Sequence, residues 1–191
     1  MNQIHLNEVD WSVIPAPVDD GGAAHLPGLT LPSVPLPATD GQTVDLSTLS
    51  GRTVVFGYPR TGVPGQISPV DDWDMIPGAR GCTPQTCSFR DLFAELKAAG
   101  AAQVFGLSTQ DTAYQTEMAT RLHLPFPVLS DDKLALATAA RLPTMEVAGT
   151  TLLKRIALIV DEGRVTHVFY PVFPPDRNAG DVLEWLKTHP R

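Results

Sequence analysis

The chain has 191 residues, of which 43% are hydrophobic and 18% charged, as is typical of one globular domain. Its net charge of -7 and its pI of about 5.1 argue against nucleic acid as a partner, because an acidic surface repels phosphate. The first residues lack the basic and apolar regions of a secretory signal, and no apolar run is long enough to span a membrane. We therefore expect a cytoplasmic protein with no membrane partner, where cysteines are more often reactive or buried than permanently disulfide-bonded.

Prolines and glycines are frequent at the beginning of the chain, and we interpret residues 1–28 as an extended arm. A disordered tail is the alternative for this segment. Trp11, Val13 and Ile14 are the arm's candidates for packing on the body of the protein. The rest of the chain, residues 29–191, is predicted to form a single domain.

The first elements predicted in that domain are a hairpin and a buried strand. Asp40-Gly41 is a turn sequence, so residues 38–44 are predicted to form the hairpin. The β-branched run at residues 53–57 predicts the strand. Residues 58–81 then form a long loop rich in proline and glycine, and loops of this length inside a compact domain are usually functional or mobile.

A helix is predicted after the long loop. Thr83 is its predicted N-cap, with Pro84 in the first helical position. Gly100 is expected to end it. One face carries an apolar stripe with helical spacing, formed by Phe89, Leu92, Phe93 and Leu96.

Strands and helices alternate through the rest of the chain. The pattern predicts strands at 103–108, 126–129, 155–160 and 164–169, and helices from Asp111 to about Leu122, from Lys133 to Leu142 and from about Ala179 to Thr188. Such alternation predicts parallel βαβ units followed by an antiparallel hairpin. The predicted fold class is therefore α/β: a thioredoxin-like fold whose central mixed sheet is flanked by helices, with an N-terminal hairpin and arm and an inserted loop before Cys82.

Cys82 and Cys87 are the candidates for redox chemistry. Cys82 lies just before the predicted helix, where unpaired N–H groups and the positive end of the helix dipole favour a thiolate over a thiol. In a regular helix, residues five apart differ by roughly 140° around the axis and have Cα atoms roughly 8 Å apart. A disulfide needs Cα atoms within about 7 Å, so this pair can bond only if that part of the helix unwinds.

The spacing of the two cysteines alone leaves other interpretations open. Two unrelated buried cysteines fit it about as well, since cysteine is commonly buried. A zinc site has little support, because the histidines of the chain show no ligand spacing. The C-x-x-C motif expected of a thioredoxin-type dithiol is absent.

Around the cysteines, the sequence resembles the bacterioferritin-comigratory, or Q-type, peroxiredoxins. That family has its peroxide-attacking cysteine in a Pro-Gly-Cys-Thr motif, a second cysteine five residues later, and then a short run ending in Arg-Asp. The chain has GCTPQTCSFRD at residues 81–91. The resemblance covers roughly residues 30 to 189, including stretches at 105–109, 129–131, 154–161 and 181–187.

The resemblance implies a thioredoxin fold and reduction of hydrogen peroxide and organic hydroperoxides by Cys82, with Cys87 as its disulfide partner. It also implies recycling by thioredoxin or a similar dithiol donor, with no metal and no cofactor, and it favours a monomer. The family's active-site proline matches Pro59 and its arginine matches Arg155. On an apolar strand face, Arg155 would need an anionic or hydrogen-bonding partner, which a thiolate with peroxide supplies. A structural arginine paired with a carboxylate is the alternative.

The chain departs from the family pattern just before Cys82. The family's proline precedes its cysteine by seven residues and its threonine by three, whereas Pro59 precedes Cys82 by twenty-three and position 79 is alanine. Thr61 is a candidate to supply the missing hydroxyl. The inserted segment, residues 61–80, is either a lid that shapes access to the site or a surface decoration.

The predicted function is a peroxidase that forms an intramolecular disulfide. The main alternative is a peroxide-sensing thiol oxidant that relays its disulfide to partner proteins. A non-enzymatic binding module with inert cysteines is a further alternative.

Overall fold

The computed structural model describes residues 9–191, in which strands and helices alternate along most of the chain. The strands are β1 (Pro35–Pro37), β2 (Thr43–Asp45), β3 (Arg52–Gly57), β4 (Gln103–Ser108), β5 (Val128–Ser130), β6 (Thr144–Val147), β7 (Thr150–Leu153), β8 (Ile156–Asp161) and β9 (Arg164–Phe169). The helices are α1 (Cys82–Asp91), α2 (Phe93–Ala98), α3 (Thr112–Arg121), α4 (Ala135–Ala139) and α5 (Asn178–Thr188). Within the described residues, none of these helices has the length and apolar character needed to cross a membrane.

Five strands form the central sheet, in the order β5-β4-β3-β8-β9. β3, β4 and β5 are parallel neighbours, and helices provide the crossovers that parallel strands require. β8 pairs antiparallel with β3, and β9 pairs antiparallel with β8. The predicted α/β fold class, with a central mixed sheet flanked by helices, is confirmed.

The side chains of β3 divide the core into two layers, because successive residues of a strand point to opposite faces. Val54 and Phe56 pack on one side with residues of α1, α2, α3 and α5. Val55 packs on the other side with α4 and with the segment that precedes β1. Phe89 and Leu96 from the predicted helical stripe are fully buried in the first layer. Burying such a side chain contributes about 1.5–3 kcal/mol, so these residues fasten α1 and α2 to the sheet.

The predicted arm packs against this body where the structure describes it, whereas its residues 1–8 lie outside the described part. A short 3-10 helix, Trp11–Val13, opens the described segment, and its Val13 is exposed. Ile14 and Leu26 are buried, and Leu26 belongs to the core layer next to α4. The arm is therefore docked through Ile14 and Leu26, and the domain boundary after residue 28 stays a prediction.

Residues 9–191 contain three hairpins, and the sequence predicts two of them. β1 and β2 enclose the Asp40-Gly41 turn, and β8 and β9 pair across the turn at Glu162-Gly163. The hairpin of β6 and β7 was not among the predicted elements. Its signal is the dipeptide Ala148-Gly149, which adopts positive φ angles of 50° and 75° and is typical of a two-residue hairpin turn.

The helix after the long loop differs from its predicted form. It begins at Cys82, so Thr83 is not its N-cap and Pro84 is not its first residue; Gly81 is the residue that precedes it. Leu92, with φ of -97° and ψ of 9°, leaves the helical conformation and divides the helix into α1 and α2. The helix predicted from Lys133 to Leu142 is shortened to α4, because Leu134 has a left-handed conformation and cannot continue a helix.

Candidate active site

Cys82 is the first residue of α1 and is buried, with 3% of its surface exposed. Gly81 makes this position possible because its φ is 107°, a conformation that favours glycine. A Cβ atom at Gly81 would lie 2.4 Å from Cγ of Pro175 and 2.9 Å from the ring of Trp11. The close packing of the arm, the segment before α5 and the start of α1 thus determines where the thiol lies.

Two hydrogen-bond donors converge on the sulfur of Cys82. The backbone N–H of Arg60 and Nη2 of Arg155 each donate to Sγ at 3.4 Å. The thiol in turn faces the carbonyl oxygen of Ala79 at 3.5 Å. Pro59 is buried and directly precedes Arg60, so the predicted proline adjoins the backbone N–H that contacts the sulfur. Together with the N-terminus of α1, these donors direct partial positive charge toward the sulfur.

Arg155 lies in the connection between β7 and β8, so its predicted position within a strand is wrong, although its burial is as expected at 3% exposure. The carbonyl oxygens of Gly78, Ala79 and Arg80 also lie 3.1, 3.2 and 3.0 Å from Nη2 and share its two hydrogens with the sulfur. No carboxylate forms an ion pair with it in residues 9–191, in contrast to the alternative of a structural arginine. Its Nε is buried without a hydrogen-bond partner among the described residues.

Gln85 and Asn178 belong to the same network and were not predicted from the sequence. Nη1 of Arg155 donates to Oε1 of Gln85 at 2.6 Å, and Nε2 of Gln85 donates to Oδ1 of Asn178 at 2.9 Å. Both amides are fully buried. A signal for Gln85 exists, since residues three apart on a helix share a face and Gln85 is three residues after Cys82. No local pattern indicates Asn178.

Cys87 lies in the same continuous helix as Cys82, and both cysteines are free thiols. It is half-buried, and burial raises the pKa of the Cys87 thiol, with Arg90 acting in the opposite direction. Because the helix is regular between the two cysteines, their Cα atoms are too far apart for a disulfide. A bridge requires the first turns of α1 to unwind. Phe89, two residues after Cys87, is stacked on Phe56 with ring centroids 4.2 Å apart.

Thr61, the candidate for the missing hydroxyl, is buried but has a different partner. Its hydroxyl donates to Oε1 of Gln110 at 3.2 Å, and Tyr114 donates its O–H to the Thr61 carbonyl at 3.1 Å. Ala79 occupies the position three residues before Cys82 and is also buried, but it offers only its carbonyl group. A role for Thr61 in orienting peroxide therefore stays a prediction without a contact to support it.

The inserted segment, residues 61–80, reaches the site through its last residues. Arg80 pairs with Asp74 at 2.6 Å on the surface, and the carbonyls of residues 78–80 contact Arg155. A small cavity of about 100 Å³ beside Arg155 is lined by Pro17 of the arm and by Pro77 and Gly78 of the insertion, among others. The insertion is thus in contact with the candidate site, and its role as a lid stays a prediction.

Comparisons with known proteins identify the family to which the chain belongs. The profile of the Redoxin family matches residues 26–183. Peroxiredoxin Bcp of Escherichia coli strain K12 is 31% identical over 163 residues, which cover 83% of this chain and 93% of that protein. The chloroplastic peroxiredoxin Q of Oryza sativa subsp. japonica is 30% identical over 162 residues, or 84% of this chain, which spans only 66% of the rice protein's length. The crystal structure of peroxidoxin BcpB from Mycobacterium tuberculosis superposes with a TM-score of 0.69 at 26% identity, covering 87% of this chain and 100% of that one.

Proposed function

We propose a thiol-dependent peroxidase activity for this chain, which belongs to the Redoxin family and, within it, to the peroxiredoxins of the Q and Bcp type. The observation that carries the proposal is the convergence of two donors on the Cys82 sulfur at the start of α1, each at 3.4 Å. These donors would stabilise the negative charge of an attacking thiolate, which is the nucleophilic form of cysteine.

In the first proposed step, the Cys82 thiolate attacks one oxygen of the peroxide. The S–O bond forms as the O–O bond breaks, and the leaving hydroxide or alkoxide takes up a proton to become water or an alcohol. Arg155 and the N–H of Arg60 would stabilise the charge that moves from sulfur to oxygen. Nε of Arg155 has no hydrogen-bond partner among residues 9–191, and we assign it to the substrate as a further donor. The shielding of the thiolate from water is assigned to Pro59, which is buried next to Arg60.

In the second step, Cys87 attacks the sulfenic acid on Cys82. The S–S bond forms, the S–O bond breaks, and the hydroxide leaves as water after protonation. Unwinding of α1 is required for this step and exposes Cys87, which removes the burial that raises its pKa in the folded helix. The thiolate of Cys87 would thus form more readily once α1 has unwound, at the step in which it attacks the sulfenic acid.

A dithiol donor of the thioredoxin type is the proposed reductant of the 82–87 disulfide. Reduction proceeds by attack of a donor thiolate on one of the two sulfurs, which must be accessible, and the unwound segment would provide that access. The proposed substrates are hydrogen peroxide and organic hydroperoxides. We further propose that the protein acts as a monomer in the cytoplasm.

The test of the proposed function is peroxide-dependent oxidation of NADPH in the presence of thioredoxin and thioredoxin reductase. Cys82→Ser should abolish turnover, and Asp91→Asn, an exposed change at the other end of α1, is the matched control. Turnover by Cys82→Ser at the parental rate would contradict the proposal. Stoichiometric oxidation without turnover, followed by transfer of the disulfide to other proteins, would favour the peroxide sensor instead.

A further inference from the structure

The contact between Gln85 and Asn178 has no part in the mechanism proposed above. Gln85 is 0% exposed and Asn178 is 1% exposed, so neither side-chain amide has its role in contact with solvent. Asn178 is the first residue of α5, far along the chain from α1. A series of hydrogen bonds therefore runs from α5 through Gln85 to Arg155, whose Nη2 contacts Cys82.

The Gln85 amide can meet Arg155 in two orientations, and only one of them forms a hydrogen bond. Arginine has donors and no acceptor, so the oxygen of Gln85 must face the guanidinium. Asn178 presents its oxygen to the nitrogen of Gln85, at 2.9 Å, which selects that orientation. Without this acceptor, the Gln85 amide could rotate and turn its NH2 group toward the guanidinium of Arg155. Two donors would then face each other in a buried site, where an unpaired polar group is costly.

The position of Gln85 in the chain gives the same contact a second consequence. Gln85 lies between Cys82 and Cys87, so forming the disulfide requires the segment that contains Gln85 to unwind. Unwinding pulls Gln85 away from Asn178 and from Arg155. The contact with Asn178 is thus broken in every catalytic cycle that passes through the disulfide.

We propose that Asn178 is a positioning residue with two effects. It orients Arg155 through Gln85, and it holds the first turn of α1 in its helical conformation. This inference rests on the proposed peroxidase function. Loss of the Asn178 oxygen should slow oxidation of Cys82, because Arg155 loses its fixed orientation. It should also speed disulfide formation, because unwinding breaks one contact fewer. A residue that only stabilises the domain away from α1 and Arg155 would not move these two rate constants in opposite directions.

The experiment measures both rate constants by mixing the reduced protein with hydrogen peroxide, quenching with a thiol-alkylating reagent and determining masses. Asn178→Ala should slow Cys82 oxidation by about tenfold or more, as misplacement of a catalytic group does, and should accelerate disulfide formation. Asn178→Asp keeps the acceptor oxygen, and a helix N-terminus favours its charge, so it should restore most of the oxidation rate. Glu184→Ala, on the exposed side of α5, is the control and should change neither rate constant.

A double-mutant cycle tests whether Asn178 acts through Gln85. In a Gln85→Ala background, Asn178→Ala should leave the oxidation rate unchanged. Additive effects of the two substitutions, or parental rate constants in Asn178→Ala alone, would overturn this inference and leave the proposed peroxidase function intact. A parent protein that does not react with peroxide would overturn the proposed function itself. If Asn178→Ala fails to fold, Asn178→Ser replaces it in the same measurement of the two rate constants. Serine is too short to reach Gln85 and is tolerated at the start of a helix.

Discussion

Replacing Arg155 by methionine removes the charge beside the Cys82 sulfur while filling much of the same buried space. Nη2 of Arg155 lies 3.4 Å from Sγ, and the residue is only 3% exposed, so solvent screens the interaction weakly. With the charge spread over the guanidinium, a separation of about 4 Å gives about 4 kcal/mol at an effective dielectric constant near 20. Desolvation offsets part of this, so a loss of about 2–4 kcal/mol is expected, or roughly 30-fold to 1,000-fold in the rate of Cys82 oxidation.

Arg155→Lys separates the contribution of the charge from that of the geometry. Lysine keeps the positive charge, but it lacks the planar fork that reaches Gln85, the backbone carbonyls and the sulfur together. We therefore expect Arg155→Lys to recover only part of the rate that Arg155→Met loses.

The assay mixes each reduced variant with excess hydrogen peroxide and follows the mass of the protein after rapid quenching with an alkylating reagent. Circular dichroism establishes that the variants are folded. Oxidation of Cys82 in Arg155→Met at the parental rate would refute the electrostatic role assigned to this arginine.

Three further predictions concern neighbouring parts of the structure. Cys87→Ser should stop the cycle at a sulfenic acid on Cys82, which dimedone would trap as a mass adduct; no adduct would count against a resolving role for Cys87. Gly81→Ala should lower the free energy of unfolding in urea by about 1–3 kcal/mol, because φ is 107° and its Cβ would collide with a proline. Burial lowers the pKa of His167 below its unfolded value of 6.5, so the free energy of unfolding should fall as the pH drops below 6.5. His167→Asn should reduce the difference between the free energies of unfolding measured in urea at pH 5 and pH 7.

Much of the fold can be predicted because it depends on local patterns. The stripe that contains Phe89 and Leu96 has helical spacing, and both residues are buried against the sheet. Asp111 accepts a hydrogen bond from the N–H of Tyr114 at 2.8 Å, as expected of the N-cap of α3. The start of α1 departs from the local preference for Thr83 as a cap, because the close contact of Gly81 with Pro175 sets the path of the chain.

The contacts of the candidate site depend on segments that are distant in sequence, and these could not be predicted. Arg155 is buried as expected, but it lies between β7 and β8 rather than within a strand, and its guanidinium contacts three carbonyls of the insertion. Thr61 bonds with Gln110, whose position depends on how the loop after β4 packs. The partner of Gln85 is Asn178, at the start of the last helix, and no motif near either residue indicates the other.

The claim that Cys82 attacks peroxide and Cys87 resolves it is tested most directly by a single turnover. The fully reduced protein is treated with one equivalent of hydrogen peroxide, alkylated and digested, and its peptides are mapped by mass spectrometry. We predict a disulfide between Cys82 and Cys87 as the main product, within one polypeptide chain. Peptides that carry alkylated Cys82 in the same yield as before peroxide treatment would contradict the account.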